Sequence, residues 1–241
     1  MSLLTSNSGL TPKIVLYGNS SSGKTTFAAT AADLGNTLLI SYKSQPQVVL
    51  GNEYKYPLTI YEVKSLNELN DILTWIYLRN GKIEKELKDI DTNFKWIILD
   101  GFTQAQYDYG AILARNDLAN DDHPVWKPSK YSLTNLSKLE WPQYSDLLNF
   151  SNSLTTHLWN MPFPTIVTCL EKDGIVSSLG NGADLLKAGS NILCRSSLKG
   201  DKHYLRIKGS NTVEASYRYL GKHDKEVLIN SNIRELINES N

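Results

Sequence analysis

Apolar residues in this chain gather in short, unbroken runs rather than in long stripes. Residues 13–17 (KIVLY), 37–40 (TLLI), 58–63 (LTIYEV), 94–99 (FKWIIL) and 164–170 (PTIVTCL) are of this kind. Runs of this length, rich in β-branched and aromatic side chains, predict strands buried on both faces. Between them the period changes. Residues 25–34 (TTFAATAADL) are alanine-rich and predict a helix stopped by Gly35. In residues 65–79, Leu66, Leu69, Ile72, Leu73 and Ile76 fall at helical spacing, and Ser65 with Glu68 makes a capping-box pattern at the head. Trp141-Pro142 opens a further helix over about 143–159. Late strands are predicted at 192–194, 203–207 and near 214–219, and a short closing helix at 232–238. Polar residues 1–11 predict a flexible N-terminus, mixed-charge residues 82–91 a solvated helix and loop, and the Gly, Ser and Asn of 173–191 a mobile loop.

Strands alternating with helices predict an α/β fold: a mostly parallel sheet with helices on both faces and late antiparallel strands at one edge. A chain of 241 residues suits a single domain over 1–241, with residues 102–140 read as an insertion holding one helix around 103–115.

Composition changes this picture little. Hydrophobic residues make up 41% and charged residues 21%, with a formal net charge of zero. The molecule as a whole therefore has no pull on polyanions, and nucleic-acid binding requires a local patch or an oligomer that concentrates one. The N-terminus has no basic segment followed by an apolar core, and no apolar run approaches the roughly 18 residues of a membrane span. A cytoplasmic protein with no membrane partner is expected. Cys169 and Cys194 lie in apolar runs and read as buried free thiols; a disulfide stays open, and no Cys-His metal spacing occurs.

The chemistry is concentrated in GNSSSGKTT, residues 18–26. Gly18, four residues, then Gly23-Lys24-Thr25 is the full phosphate-loop pattern, after a predicted strand and before a predicted helix. Its glycines let backbone N–H groups face phosphate oxygens, so Gly18, Asn19, Ser20, Ser21, Ser22, Gly23, Lys24, Thr25 and Thr26 form the candidate nucleotide cradle. Lys24 would reach the β- and γ-phosphates, and the Thr25 hydroxyl would hold Mg²⁺. Asp100 ends the run WIILD and is expected to complete the metal shell from a strand next to the phosphate strand. Guanine recognition lacks its Asn-Lys-x-Asp signature, since Glu171-Lys172-Asp173 does not match, and no Asp-x-x-Gly follows the aspartate strand. ATP is the expected nucleotide.

KIVLYGNSSSGKTTFAATAADLG, WIILDGFT, WPQYSDLLNF and PTIVTCLEKDG, in that order, with YLRIKGSNTVEASYRY as a weaker fifth stretch, resemble phage-encoded RecA-like P-loop ATPases. These are the phage nucleotide-binding proteins, which include the Sak-type single-strand annealing and recombination proteins of dairy phages. The likeness covers most of the chain outside roughly 102–139. It implies a RecA-like P-loop NTPase core acting on single-stranded DNA in recombination or repair, in the host cytoplasm. It further implies a homo-oligomer, ring or filament, with ATP between subunits, and a single-strand binding protein as a candidate partner. Basic residues from the late strands of one subunit would reach the γ-phosphate on the next; Arg206, Lys208 and Arg218 are the candidates. Two departures bear on hydrolysis. Such proteins carry a glutamate after an early core strand to polarise water, where this chain has Ser41-Tyr42-Lys43, with Glu53 and Glu62 as distant substitutes. They also tend to have a lysine near Ser216, which leaves Arg218 as the cation. Glu171 is placed by the likeness beside the aspartate strand, as a γ-phosphate sensor or replacement base. The catalytic set is thus Lys24, Asp100, Glu171 and Arg218.

Within residues 187–222 stand Lys187, Arg195, Lys199, Lys202, Arg206, Lys208, Arg218 and Lys222, against Asp201 and Glu214 alone. Such segregation suits a phosphate backbone or a neighbour's ATP. Aromatic residues of the 102–141 region (Tyr107, Tyr109, Trp126, Tyr131, Trp141), mixed with Arg115, Lys127 and Lys130, form a second candidate stacking surface. Two other functions fit the same motif: a nucleotide-dependent oligomeric scaffold or switch with little turnover, and a small-molecule P-loop kinase.

Overall fold

The computed structural model describes residues 11–44, 46–78, 93–119, 141–177, 182–200, 202–207, 216–217, 226–228 and 233–238. In chain order these form β1 (Lys13–Gly18), α1 (Lys24–Ala29), β2 (Thr37–Tyr42), β3 (Leu58–Val63), α2 (Leu66–Leu78), β4 (Trp96–Asp100), α3 (Phe102–Ala119) and α4 (Trp141–Asn160). There follow β5 (Thr165–Lys172), β6 (Ile175–Val176), α5 (Gly182–Gly189), β7 (Ile192–Lys199), β8 (Lys202–Arg206), β9 (Ser216–Tyr217), β10 (Glu226–Leu228) and α6 (Ile233–Asn238). Short 3-10 turns cover Thr30–Asp33 and Pro46–Val49, so the predicted first helix tightens after Ala29.

The chain is α/β, with a mostly parallel mixed sheet. The strand order is β10-β8-β7-β1-β5-β4-β2-β3, with β6 on β5 and β9 on β7. From β7 to β3 all neighbours are parallel, and the late strands β8, β9 and β10 add antiparallel pairs at the β7 edge, as the sequence predicts. Alternation splits the buried side chains between two layers. Val15, Tyr17, Leu38, Ile40, Leu99 and Val167 pack under α2, α3, α4 and α5. Ile14, Leu16, Leu39, Ile98 and Ile166 pack under α1 and α6. Helices thus cover both faces, which is why the central strands read as unbroken apolar runs.

Two polar devices fix this frame. Lys13, 7% exposed, donates its ammonium to the Met161 carbonyl (2.7 Å), the Phe163 carbonyl (2.9 Å) and the Thr165 hydroxyl (3.1 Å), tying β1 to the end of α4. At the head of α2, Ser65 Oγ accepts from the Glu68 N–H at 3.2 Å, while the Glu68 carboxylate reaches back to the Lys64 N–H at 2.8 Å. The capping box therefore forms with its return arm one residue early.

Two expectations change. The aspartate strand β4 is not next to the phosphate strand β1; β5 stands between them, parallel to both. Residues 173–191 are not an open loop: β6 and α5 occupy much of it, and Leu186 joins the core. The helix predicted around 103–115 forms as α3, over Phe102–Ala119, and its Phe102 and Ala105 are core residues. The predictions for 1–10, 82–91 and 120–140 lie outside the described residues.

Candidate nucleotide site

β1 runs into the GNSSSGKTT loop at the carboxyl edge of the sheet, and α1 leaves it. Two close approaches shape the turn. A Cβ on Gly18 would collide with the Ser196 carbonyl of β7, and Gly23 sits at φ +88°. Ser21 is also left-handed, at φ +60°. With Ser22 between them at negative φ, the backbone alternates in hand and makes a concave run of N–H groups suited to an anion.

The loop forms one wall of a cleft of about 610 Å³. Tyr42, Lys43, Ser44 and Val48 at and after the end of β2, Asp100, Gly101, Thr103 and Gln104 from the β4–α3 junction, residues 168–170 of β5 and His203 of β8 line the rest. Lys24 lies along the loop, its ammonium donating to the Gly18 carbonyl (3.0 Å) and the Asn19 carbonyl (2.7 Å). Burial draws the Lys24 ammonium below its ordinary range, and the carboxylates of Asp100 and Glu171 offset part of that. A phosphate would supply the counter-charge this cation lacks within the loop.

Thr25 Oγ1 donates to Asp100 Oδ2 at 3.0 Å, joining residues 75 positions apart. The other Asp100 oxygen accepts from the Thr168 hydroxyl, whose oxygen also accepts the Gly101 N–H at 3.1 Å. The intervening β5 thus supplies the group that orients the carboxylate, which is 3% exposed. Gly101 turns the chain out of β4 at φ +111°, its Cα hard against the Tyr42 carbonyl, where any Cβ would clash. Thr25 and Asp100 offer two hard oxygens at the loop's end, the donor set Mg²⁺ takes together with phosphate oxygens and water. No group of three or more His, Cys, Asp or Glu side chains that could hold a metal ion exists among the described residues.

Glu171 is not free. Arg195 of β7 grips it with two nitrogens, Nε to Oε2 at 2.9 Å and NH2 to Oε1 at 2.5 Å. The pair spans β1, and Glu171 is only 6% exposed. The carboxylate's hydrogen bonds hold the Arg195 guanidinium above its ordinary range. Among the described residues Asp100 is the one carboxylate lining the cleft, and neither Glu53 nor Glu62 lines it.

Two features of the site carry no sequence signal. Asp108 of α3 sits behind the Ser41-Tyr42-Lys43 corner, accepting from Tyr42 Oη (2.8 Å), the Lys43 ammonium (2.5 Å) and Gln104 Nε2 (3.0 Å). Burial opposes ionisation of Asp108, but these three donors outweigh it and hold the carboxyl below its usual range. Lys43 itself is left-handed, at φ +49°. On the opposite wall, His203 of β8 bonds through Nδ1 to the Ser22 carbonyl at 3.0 Å.

The basic strip resolves into a two-faced hairpin. In the β7–β8 register Arg195 faces Arg206, Ser197 faces Tyr204 and Lys199 faces Lys202, so these side chains share one face. Ser196, Leu198, His203 and Leu205 share the other, which looks toward the phosphate loop. Lys199 lies over the Tyr204 ring at 5.3 Å, and Lys187 pairs with Asp184 at 2.8 Å. Lys208 and Arg218 lie outside the described residues. In the second aromatic candidate surface, Tyr109 stacks on Phe150 at 4.4 Å, so its ring is used in packing; Trp126, Tyr131 and the Trp141 side chain lie outside the described residues.

Cys169 and Cys194 are free and buried. Among the described residues no helix is long and apolar enough to cross a membrane. The chain matches no family model and no curated protein.

Proposed function

We propose that this chain binds ATP with Mg²⁺ on residues 18–26 and belongs to the RecA-like P-loop ATPases, in a phage type that works on single-stranded DNA as a homo-oligomer. The observation that carries the reading is the Thr25–Asp100 contact of 3.0 Å beside Lys24, in a loop whose backbone alternates in hand. Lys24 and the loop N–H groups bind and orient the β- and γ-phosphates. Thr25 and Asp100 would hold the metal, and Thr168 fixes the orientation of the Asp100 carboxylate. When bound, Mg²⁺ supplies charge neutralisation between the phosphates.

A low-turnover switch is the second reading. It is favoured by Glu171, whose two oxygens are both taken by Arg195, and by the lack of a second carboxylate lining the cleft among the described residues. Single-stranded DNA is assigned to the outer hairpin face, where Tyr204 lies among Arg195, Lys199, Lys202 and Arg206.

Steady-state ATP turnover with and without single-stranded DNA tests this, with Lys24→Ala as the blank. DNA-stimulated turnover supports the ATPase; tight ATP binding with no turnover supports the switch. Tight ATP binding that survives in Lys24→Ala removes the phosphate-loop assignment. On the hairpin, Lys199→Ala and Lys202→Ala should each lower the salt slope of DNA binding by about one. Salt-insensitive binding would move the DNA contact elsewhere.

A further inference from the structure

The Ser22 carbonyl receives two donors from one hairpin. Ser196 Oγ of β7 donates to it at 2.5 Å, and His203 Nδ1 of β8 lies 3.0 Å away. Ser22 is 2% exposed, and its oxygen is turned out of the loop toward the sheet edge. A trans peptide is planar, so its C=O and the N–H of the next residue point to opposite sides. Holding the Ser22 oxygen against the hairpin therefore aims the Gly23 N–H away from those two donors, in a loop whose residues 20–26 all line the cleft. Gly23, at φ +88°, has the backbone freedom to turn that plane over.

We propose that Ser196 and His203 are positioning residues that lock the Ser22–Gly23 peptide in its phosphate-accepting orientation. The proposal rests on the nucleotide-binding reading of the loop and adds to it the hairpin that sets the loop's affinity for polyphosphate. A carbonyl oxygen only accepts, so the bond requires a proton on His203 Nδ1. In the neutral ring Nε2 is then bare. The two donors are redundant: either alone restrains the carbonyl, and loss of both frees the peptide to rotate. The same strand pair presents Arg195, Lys199, Lys202 and Arg206 on its other face, so these two hydrogen bonds also tie the loop to the strands that carry the basic surface.

The first test needs no nucleotide. Nitrogen-15 NMR of the histidine rings, assigned by loss of one signal in His203→Asn, should show His203 with its proton on Nδ1 above the imidazole titration range. A proton on Nε2 there would overturn the clamp. The second test measures ATP affinity. Asn places an amide where Nδ1 stands, so His203→Asn should stay within about threefold of wild type. His203→Leu and Ser196→Ala should each weaken binding by about three- to fivefold, and the pair by about a hundredfold, more than the product of the singles. A double variant that binds like wild type, or an Asn variant no better than Leu, would overturn the proposal. Wild-type protein that binds no ATP sinks the nucleotide reading instead, an outcome unlike either of these. If the double variant fails to fold, the ring tautomer and the Asn–Leu contrast still decide.

Discussion

Arg195 reaches across β1 to hold both oxygens of Glu171. The pair joins the two strands that flank the phosphate strand, at the level where β1 becomes the loop. Breaking it strands a nearly buried carboxylate, which costs far more than losing an exposed charge. Arg195→Ala should lower unfolding free energy by about 2 kcal/mol in urea titrations, against about 0.5 kcal/mol or less for exposed Lys202→Ala. Replacing both partners by leucine should cost less than the single change. Equal effects of Arg195→Ala and Lys202→Ala would mean the ion pair contributes nothing to the frame.

Magnesium dependence is the sharpest check on Thr25 and Asp100. Wild-type protein should bind ATP more tightly with Mg²⁺ than with a chelator. Thr25→Ala should remove about tenfold of that gain, and Thr25→Ser, which keeps the hydroxyl, should keep it. Calorimetric titration in both buffers reads the difference directly. An unchanged Mg²⁺ gain in Thr25→Ala would remove this hydroxyl from the metal shell.

Gly101 is intolerant of a side chain for two separate reasons. Its φ of +111° disfavours any L side chain, and a Cβ would meet the Tyr42 carbonyl of β2. Gly101→Ala should cost about 2–4 kcal/mol in thermal or denaturant unfolding, and should weaken Mg²⁺-dependent binding by shifting Asp100. A neutral substitution would mean that β2 and β4 separate freely at this end.

The buried thiols set an alkaline limit. Burial pushes Cys169 up to about 12 and Cys194 higher still, whereas the unfolded chain ionises near its ordinary value of about 8.5. The folded-state value is raised, so the stabilisation is fully present below about 8.5 and is lost as pH rises toward about 12. Between about pH 9 and 10, wild type should lose about 1 kcal/mol more unfolding free energy than Cys169→Ala. Parallel pH profiles for the two proteins would show that Cys169 does not retain its proton.

The strand–turn–helix placement of GNSSSGKTT was legible because its pattern is local: nine consecutive residues, bounded by an apolar run and an alanine-rich one. Asp100 was legible for the same reason, as the polar end of WIIL. What the sequence hid is pairing over long separations. Nothing in residues 164–172 says that β5 enters between β1 and β4, so the role of Thr168 in turning Asp100 had no local sign. Asp108 meets Tyr42 across 66 positions, and His203 meets Ser22 across 181. At 182–189 composition misled. Its glycines suggested a loop, yet Leu186 reaches the core and Asp184 pairs with Lys187 one turn on. The RecA-like assignment and the DNA role rest on the resemblance and on the site chemistry, beyond what strand order alone decides.

The position of β1 also governs the order in which the protein can assemble as it is synthesised. Lys13 lies opposite Thr165, and Ile14 opposite Ile192. A ribosome adding about 5–20 residues per second needs roughly ten to forty seconds to move from the first of these strands to the last. Until then β1 lacks at least one of its two neighbours, and the Ser22 carbonyl has neither donor. The GNSSSGKTT turn is therefore made long before the strands that hold it, and a chain cut short before β7 would leave the Ser22 carbonyl without Ser196 and His203.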